Sequence, residues 1–429
     1  MSETIASTYM TLAHLAPTPF VQQVAKALYD EGMLARFATT FTKRSEANWQ
    51  KALCYLAKIA KYDLTRQLSR REITDIPLSL VKDRPWQELT RFLVSRIDKQ
   101  KILTDAVFHW ELEDFDRWVA RENLTESNVV YGYEYGCLNT FKIAKQRGIA
   151  RIYDVPAPEH DFSENIIHRE IANYSELNTP YRRYTRERQQ IRTQKRVAEW
   201  NLADIVVANS EFTKKSYADA GLNVDKVKVI PYGAPPVNWE GKLGGSNDRE
   251  PIRFIWAGTF SIRKGAHYLL SAWKQLDAQS QAELKVFGAM GLPRSLLQQF
   301  PDSVKLSGTI PRSELYSQYQ QADVLVFPTL CDGFGMVVTE AFACGLPVIT
   351  TDRAGAADLV RHGENGLIIP AGNASALASA LEWCINNRQQ LKTMRQAALE
   401  TAASWQWSDY RRTLIENLRD GLQVAGYSL

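Results

Sequence analysis

The second half of the chain alternates short apolar runs with amphipathic stretches. The runs have the length and the branched side chains of buried strands. They fall at 252–257, 284–287, 304–306, 324–327, 348–351 and 367–369. Helical periodicity separates them. This regular alternation predicts a parallel, doubly wound α/β sheet over residues 251–404.

The first half follows a similar pattern with longer interruptions. The apolar positions predict helices at 20–31 and 138–148, and strands at 5–13, 34–40, 128–131 and 151–155. A segment rich in Pro, Gly, Ser and Asn then separates the halves. We therefore expect a Rossmann-like domain over 1–235, a linker over 236–250, a second such domain over 251–404 and a closing helix over 405–429.

Length and composition agree with two ordinary globular domains. The 429 residues exceed the size at which one core keeps growing, and 45% of them are hydrophobic. The net charge of +4 is too small to indicate a nucleic-acid partner. The five cysteines form no CxxC pair and favour neither a disulfide framework nor a zinc site. With no basic N-terminal region and no long apolar segment, we expect a cytoplasmic protein.

The stretch 323–347 is the richest in candidate chemistry. An apolar run at 323–327 predicts a buried strand, and Asp332-Gly-Phe-Gly335 follows as a glycine-spaced turn. A helix is expected from Met336 to Cys344, with Gly345 in position for a left-handed cap. A strand, a glycine turn and a helix start together direct backbone N–H groups at an anion.

Two acids accompany this anion site. Asp332 lies in the turn and Glu340 in the helix, and eight helical residues span about 12 Å. A retaining glycosidase needs its carboxylates only about 5 Å apart, so these acids fit two parts of one long ligand better. A phosphate held by the backbone N–H groups of Phe334 to Met336 would leave one acid for each flanking polyol. That arrangement describes a nucleotide-sugar.

The pattern acid-Gly-Phe-Gly-x-x-x-x-Glu, followed by Ala-x-Ala-x-Gly-Leu-Pro, resembles the retaining glycosyltransferases of family GT4. The resemblance implies a GT-B fold, in which two Rossmann-like domains face each other across a cleft and a C-terminal helix crosses back to the first. It also implies that Asp332 contacts the donor sugar and that Glu340 binds the ribose. The family usually has Glu at the first position, where this chain has Asp332.

The same resemblance assigns further donor contacts. Gly258 allows close approach of the ligand, while Arg263 and Lys264 grip the diphosphate and support its departing charge. Gly288 lies at a turn near the donor. In the segment expected to hold the base, Ile310 pairs through its backbone, and Arg312 either stacks on the base or makes no ligand contact.

One histidine is expected to act in the first domain. Many GT4 members carry a functional His after the strand that corresponds to 151–155, and His160 follows that strand here. Its alternative is a plain surface histidine. His109 is second choice, because its apolar neighbours favour a hydrogen-bonded core histidine, and His168 is third.

The resemblance implies transfer of a hexosyl unit from a UDP- or GDP-sugar to a hydroxyl acceptor bound by the first domain, in glycan or glycolipid biosynthesis. No Asp-x-Asp metal motif falls at a suitable position, so we expect no metal and no cofactor. A nucleotide-sugar epimerase or glycan phosphorylase on the same fold, and a non-catalytic nucleotide-sugar-binding protein, are the alternatives.

Two basic segments bear on partners. Residues 43–72 show a basic amphipathic pattern that is typical either of a solvated helix face or of a helix on an anionic membrane. The protein is then cytoplasmic, or peripheral at the inner face of the membrane. A second run at 182–196 fits a charged helix surface, or an approach to an acidic acceptor or membrane.

Overall fold

We describe a computed structural model of the chain that covers residues 8–44, 49–50, 71–237, 250–276 and 281–427. Its thirteen strands within these residues are β1 Met10–Ala13, β2 Leu34–Thr39, β3 Val81–Asp83, β4 Val129–Tyr133, β5 Ala150–Val155, β6 Ile205–Ala208, β7 Val227–Val229, β8 Ile252–Ala257, β9 Ala282–Phe287, β10 Val304–Gly308, β11 Val324–Phe327, β12 Val348–Thr351 and β13 Gly366–Ile369.

Helices connect these strands. In the described residues they are α1 Pro19–Asp30, α2 Trp86–Ile97, α3 Ile102–Glu122, α4 Leu138–Gln146, α5 His160–Ile171, α6 Pro180–Glu187, α7 Gln189–Leu202, α8 Glu211–Asp219, α9 Ala266–Gln275, α10 Arg294–Leu297, α11 Arg312–Gln321, α12 Met336–Ala343, α13 Ala374–Asn386, α14 Arg388–Ser404 and α15 Trp407–Val424. Short 3₁₀ turns are Leu78–Leu80, Ser175–Leu177 and Gly355–Leu359.

The strands form two separate parallel sheets. The first has the order β3-β2-β1-β4-β5-β6-β7 and the second β10-β9-β8-β11-β12-β13. Helices cover both faces, so central strands such as β4 and β5 are buried along their whole length and consist mostly of apolar residues. The two doubly wound sheets confirm the predicted fold class.

The last helix returns to the first sheet, as the resemblance implied. Leu414, Leu418 and Leu422 of α15 are fully buried in the core that the first sheet contributes to. Arg411 donates from its Nη1 to the side-chain oxygen of Gln23 on α1 at 2.5 Å. This return joins the end of the chain to the domain in which the chain begins.

Several predicted bounds need correction. The first strand begins at Met10 rather than at 5, since residues 8 and 9 are outside the strand and 5–7 lie outside the described residues. The helix expected to end at Cys344 ends at Ala343, with Gly345 at φ +63° as predicted. Sequence reasoning did not place α2 and α3, which fill the long interval before β4.

The basic segment 43–72 lies mostly outside the described residues. Within the described part, 43–44 and 71–72 are not helical, and only 49–50 belong to a helix. The second basic run, 182–196, is helical and falls in α6 and α7. No helix in the described ranges is both long and apolar enough to cross a membrane.

Candidate functional site

Two loops meet at the point where the strand order of the second sheet reverses. The chain leaves β8 towards α9 on one side and β11 towards α12 on the other. The loop after β8 carries Arg263 and Lys264, and the loop after β11 carries Asp332 to Gly335. A crevice at such a switch point is where open parallel sheets bind ligands.

The predicted catalytic side chains of this domain contact one another. Lys264 forms an ion pair with Asp332, and Arg263 Nη1 lies 3.6 Å from Asp332 Oδ2. Burial, and then the neighbouring Arg263, lower the pKa of Lys264 well below its ordinary value. Two partly buried cations therefore face one carboxylate, so these loops carry more cationic side chains than acidic ones.

The turn after β11 is shaped by close packing. Gly335 has φ +91°, and a Cβ there would lie 2.6 Å from the Phe327 ring. Phe334 is buried and packs edge-on against Tyr232 at 5.1 Å, so only its backbone is left to face a ligand. Met336 is the first residue of α12 and packs partly buried against the core. The packing of this turn therefore places the N-terminal end of α12 at the crevice.

Glu340 lies one helix turn further and is almost fully buried. Arg312 Nη2 donates to its Oε1 at 2.5 Å, and the Tyr319 hydroxyl donates to Oε2 at 3.4 Å. Burial raises the pKa of Glu340, and Arg312 opposes the rise. Two residues predicted to bind different parts of the donor therefore form one ion pair. Ile310, close before Arg312, packs partly buried against the core.

Gly258 and Gly288, the two other glycines predicted near the donor, pack against each other through their backbones. Gly288 has φ +147°, and a Cβ on it would lie 1.9 Å from the carbonyl oxygen of Gly258. The Gly258 N–H donates to the Phe287 carbonyl at 2.9 Å, so it extends the sheet. A Cβ on Gly258 itself would meet no atom within 4 Å in the described structure. Gly288 is thus required by packing, whereas Gly258 borders open space.

The second-domain turn touches the first domain directly. A Cβ on Gly333 would lie 2.1 Å from the Pro156 carbonyl oxygen. The Ser210 hydroxyl donates to the Gly333 carbonyl at 2.7 Å, and Thr213 reaches the same carbonyl at 3.3 Å. The acid-Gly-Phe-Gly turn is therefore held by loops that follow β5 and β6.

A second crevice opens at the switch point of the first sheet, between β1 and β4. It holds a cavity of about 650 Å³ whose walls come from the loops after β1, β4 and β5 and from helices α2, α3 and α7. Pro156 belongs to this wall and also touches Gly333. The cavity therefore extends to the edge of the second-domain turn.

His160 lines this cavity, at the first position of α5 rather than in the predicted loop. Its Nδ1 lies 2.7 Å from the Thr193 hydroxyl, and burial, with Arg196 next, lowers its pKa to about 4. His109 also lines the cavity, 3.3 Å from Asp105, with its pKa again near 4. His160 and His109 are thus neutral hydrogen-bonding groups at neutral pH.

His168 is not part of the cavity wall and lies 3.1 Å from Gln189. Sequence reasoning missed His14, which does line the cavity and whose pKa burial lowers to about 4. It also missed Glu134 and Arg196, which form an ion pair in the wall. The position of Glu134 directly after a strand was the one available signal. Arg196 belongs to the basic run 182–196, for which a charged helix surface and an approach to an acidic acceptor or membrane were the two alternatives, and its side chain lines the cavity.

The described part of the chain contains no group of three His, Cys, Asp or Glu side chains arranged to hold a metal ion. The four described cysteines, Cys137, Cys331, Cys344 and Cys384, are unpaired and buried within that part. Cys54 lies outside the described residues.

Solved structures share this fold over nearly the full chain. Sucrose-phosphate synthase from Thermosynechococcus elongatus superposes with a TM-score of 0.62 at 18% identity, covering 97% of this chain and all of that one. Anabaena Alr3699/HepE in complex with UDP-glucose gives a TM-score of 0.59 at 18% identity, covering 96% of this chain and 99% of that one. The chain has the GT-B fold of glycosyltransferases.

Sequence comparison adds a match to one family model over part of the chain. Residues 244–401 match the family model described as Glycosyl transferases group 1. The capsular polysaccharide biosynthesis glycosyltransferase CapM of Staphylococcus aureus is 34% identical over 34% of this chain and 40% of that protein. The D-inositol 3-phosphate glycosyltransferase of Paenarthrobacter aurescens is 24% identical over 47% of this chain and 53% of its own length. Residues 244–401 are thus similar to the group 1 glycosyltransferases.

The matches to curated relatives have a limited extent. The chain spans about half the length of the relatives it matches. The family model covers residues 244–401, whereas the solved structures share the fold over both domains.

Proposed function

We propose that this protein is a retaining glycosyltransferase that moves a hexosyl unit from a UDP- or GDP-sugar to a hydroxyl acceptor in glycan or glycolipid biosynthesis. The observation that carries the proposal is the second-domain crevice, where Arg263, Lys264 and the start of α12 meet at one switch point. These groups supply the positive charge that a sugar diphosphate needs. Glu340, which also lies in α12, binds the ribose of the nucleotide.

The proposed reaction separates charge in that crevice. The acceptor oxygen bonds to the anomeric carbon while the bond from that carbon to the diphosphate breaks. The hydroxyl proton passes to the departing diphosphate on the same face, so the anomeric configuration is retained. Arg263 and Lys264 stabilise the charge that develops on the diphosphate, and no divalent metal is required. Asp332 and His160 hydrogen-bond the sugar from opposite domains.

What similar proteins bind and where they act support the proposed donor and the proposed pathway. The HepE structures hold UDP and UDP-glucose, which favours UDP over GDP here. CapM acts in capsular polysaccharide biosynthesis and AmsK of Erwinia amylovora in amylovoran biosynthesis, which favours glycan synthesis. A nucleotide-sugar epimerase would convert its donor without an acceptor, and a binding protein would convert nothing.

Nucleotide binding tests the proposal first. UDP, GDP and ADP are added without metal, and then with Mg²⁺, to the wild type, Glu340→Ala and the exposed control Glu283→Ala, and thermal stability is measured. A nucleotide at about 100 times its dissociation constant adds about 2.7 kcal/mol of stability. We expect one nucleotide to stabilise the wild type and the control but not Glu340→Ala. No stabilisation by any nucleotide under either condition would overturn the donor site.

Turnover then separates the three activity classes. The nucleotide that binds is supplied as its glucose, galactose and mannose diphosphate sugars, with and without a mixture of sugar and glycolipid hydroxyl acceptors. We expect nucleotide release that increases with acceptor and falls by orders of magnitude in Lys264→Ala, with anomeric configuration retained in the product. Interconversion of donors without acceptor would indicate the epimerase instead.

We also propose that the protein contacts an anionic membrane surface through its first domain. Helix α2 exposes Trp86, Leu93 and Ile97 at helical spacing on one face, and Ile97 keeps 77% of its surface exposed. The exposed basic residue Lys99 follows directly. Apolar side chains beside lysines suit the headgroup region of an anionic bilayer. The basic segment 43–72 precedes this helix in the chain, separated from it by residues 73–85.

Vesicle sedimentation tests this contact. We expect the wild type to sediment with phosphatidylglycerol vesicles and not with phosphatidylcholine vesicles, and Leu93→Ser/Ile97→Ser to lose binding. Val424→Ser removes an apolar side chain that is 87% exposed on α15 and is the matched control. Equal sedimentation of both variants would contradict the proposal.

A further inference from the structure

Five cations line the first-domain cavity. They come from separate segments of the chain, namely Arg71, Arg91 from α2, Lys101 from the turn before α3, and Arg192 and Arg196 from α7. Residues so far apart in sequence converge here only through the fold. Arg side chains offer forked N–H donors that match the oxygens of phosphate and carboxylate groups.

The carboxylates around them do not balance these cations. Asp105, Glu111 and Glu134 line the same cavity, and Glu88 lies fully buried behind it. These are four acids against five cations. Burial also raises the pKa values of Glu111 and Glu134, which lowers the amount of negative charge that they hold.

Two of the cations can still donate hydrogen bonds to a bound anion. Arg192 binds Asp105 through Nη2 at 2.6 Å, yet its buried Nε–H has no hydrogen-bond acceptor among the described residues. Lys101 has no carboxylate within 4 Å in that part of the structure, and its backbone carbonyl accepts from the Asp105 N–H. Both cations therefore lie beside the same turn at the start of α3.

The pKa values of the three histidines in the cavity wall are also consistent with a positively charged cavity. After burial, the nearest cations are what lower their pKa values: Arg71 for His14, Arg192 for His109 and Arg196 for His160. Neutral imidazoles add no charge, but they donate or accept hydrogen bonds from a polyol. Cations around neutral polar groups form a lining suited to a sugar-like molecule that carries an anion.

We infer that this cavity is the acceptor site and that its acceptor carries an anionic oxoacid group, a phosphate or a carboxylate, besides the hydroxyl that receives the sugar. The anion binds near Lys101 and Arg192, and the hydroxyl points to Pro156, where the cavity meets Gly333. This inference rests on the proposed function, because it needs the donor in the neighbouring crevice.

Histidine resonances provide a test that does not depend on turnover. The full-length protein is labelled at its six histidines and titrated with inorganic phosphate, acetate and potassium chloride at equal ionic strength. His→Gln variants assign the signals. We expect phosphate or acetate to shift His109 and His160 saturably and to raise their pKa values, while His362, in the second domain, stays unchanged. Equal responses to chloride, or no saturable response, would overturn the inference.

Matched variants locate the anion. Lys101→Gln should weaken anion binding by about tenfold, the loss of one charge-assisted contact. Lys99→Gln, an exposed lysine outside the cavity wall, should leave it unchanged. Equal effects of the two variants would show that the anion responds to general surface charge, and would contradict the assignment.

Separate arms identify the source of the anion and keep the two proposals apart. Phosphatidic acid vesicles that shift the signals at concentrations where free phosphate does not would indicate a lipid-borne acceptor. Tighter binding of phosphate than of acetate in the cavity would indicate a phosphorylated acceptor. UDP and GDP are titrated into the same samples. Nucleotide binding without any anion response overturns this inference alone. An anion response without binding of either nucleotide overturns the proposed donor site, and leaves an anion site whose role as the acceptor site is overturned with it.

Discussion

Gly333 leaves no room for a side chain, because its Cα faces the backbone of the other domain. An added Cβ would lie 2.1 Å from the Pro156 carbonyl oxygen and 2.9 Å from the Ala157 Cα. Backbone atoms cannot move aside as a flexible side chain can. The requirement for glycine here therefore comes from the approach of two domains.

We predict that Gly333→Ala destabilises the protein by about 1–3 kcal/mol, the usual cost of overpacking, and weakens nucleotide binding. Gly136→Ala is the matched control, since its added Cβ would meet only the Tyr133 carbonyl, at 3.7 Å. Denaturant unfolding of both variants measures the difference. If both changes cost the same, the close contact between domains is absent in solution.

Asp154 is a buried acid near the centre of the first sheet. It accepts a hydrogen bond from the Tyr131 hydroxyl at 2.6 Å, and burial raises its pKa to about 7. Between its ordinary value and about 7 the folded protein binds a proton that the unfolded chain releases. Stability from this group is therefore lost as pH rises through that interval.

We predict that Asp154→Asn removes this pH dependence. Relative to the wild type, the variant should gain about 2 kcal/mol of unfolding free energy between about pH 5 and about pH 8. Urea unfolding at the two pH values gives the difference. Parallel stability curves for the two proteins would show that Asp154 has an ordinary pKa.

Single residues differ in how far the sequence could place them. Asp332 and Glu340 belong to one strand-turn-helix unit, and the local pattern with the family resemblance located them. The Arg312–Glu340 ion pair was not foreseen, because it depends on how two helices pack. The same reason hid Arg192, whose partner Asp105 lies on a helix that the pattern did not reveal. Cations that point inward look like surface residues in sequence.

Helix α8 connects an ordinary capping interaction to the contact between domains. Ser210 is its N-cap and accepts from the Thr213 N–H at 3.0 Å. The same hydroxyl donates to the Gly333 carbonyl at 2.7 Å. One side chain therefore both starts a first-domain helix and holds the second-domain turn.

We predict that Ser210→Ala costs more than the loss of a cap alone. A cap contributes about 1 kcal/mol, and the buried Gly333 carbonyl would also lose a donor, adding about 1 kcal/mol. Asn373→Ala is the control, because Asn373 caps α13 without reaching the first domain. Calorimetric unfolding compares the two, and equal losses would mean that the Ser210–Gly333 contact contributes nothing.

Elements of the second sheet were predictable because each is short, apolar and bounded by turn residues. The strands β8 and β12 have the predicted bounds. The long helices α2 and α3 were not, because they carry exposed apolar residues such as Leu93 and buried acids such as Glu111. Both features blur the periodicity on which the prediction depends. These unusual residues have other places in the structure: Glu111 lines the first-domain cavity, and Leu93 lies on the proposed membrane face.

The domains hold each other through contacts on either side of the crevices. Glu170 of α5 accepts from Tyr268 at 3.1 Å and lies 3.0 Å from His267 Nε2. The Glu211 N–H donates to Asp358 at 2.8 Å. These two polar contacts are partly exposed, so they favour a closed arrangement without fixing it.

We predict that Glu170→Ala shifts the molecule towards an open arrangement. Small-angle X-ray scattering should show a larger radius of gyration in the absence of nucleotide, and nucleotide binding should weaken a few-fold, since closure then costs more. Glu187→Ala, an exposed carboxylate in the first domain, should leave both unchanged. An unaltered radius in Glu170→Ala would show that closure does not depend on this contact.

The chain enters and leaves the second domain at the same place. The Ala234 N–H donates to the Trp405 carbonyl at 2.9 Å, and the Trp407 N–H donates back to Ala234 at 3.2 Å. A Cβ on Gly233 would lie 2.4 Å from the Trp407 nitrogen, so the two crossings are pressed together. In topology, the second domain is therefore inserted into the first domain. If the second domain binds the donor as proposed, replacing the residues between the two crossings with the corresponding domain of a related enzyme would change the donor specificity. The acceptor specificity would stay the same.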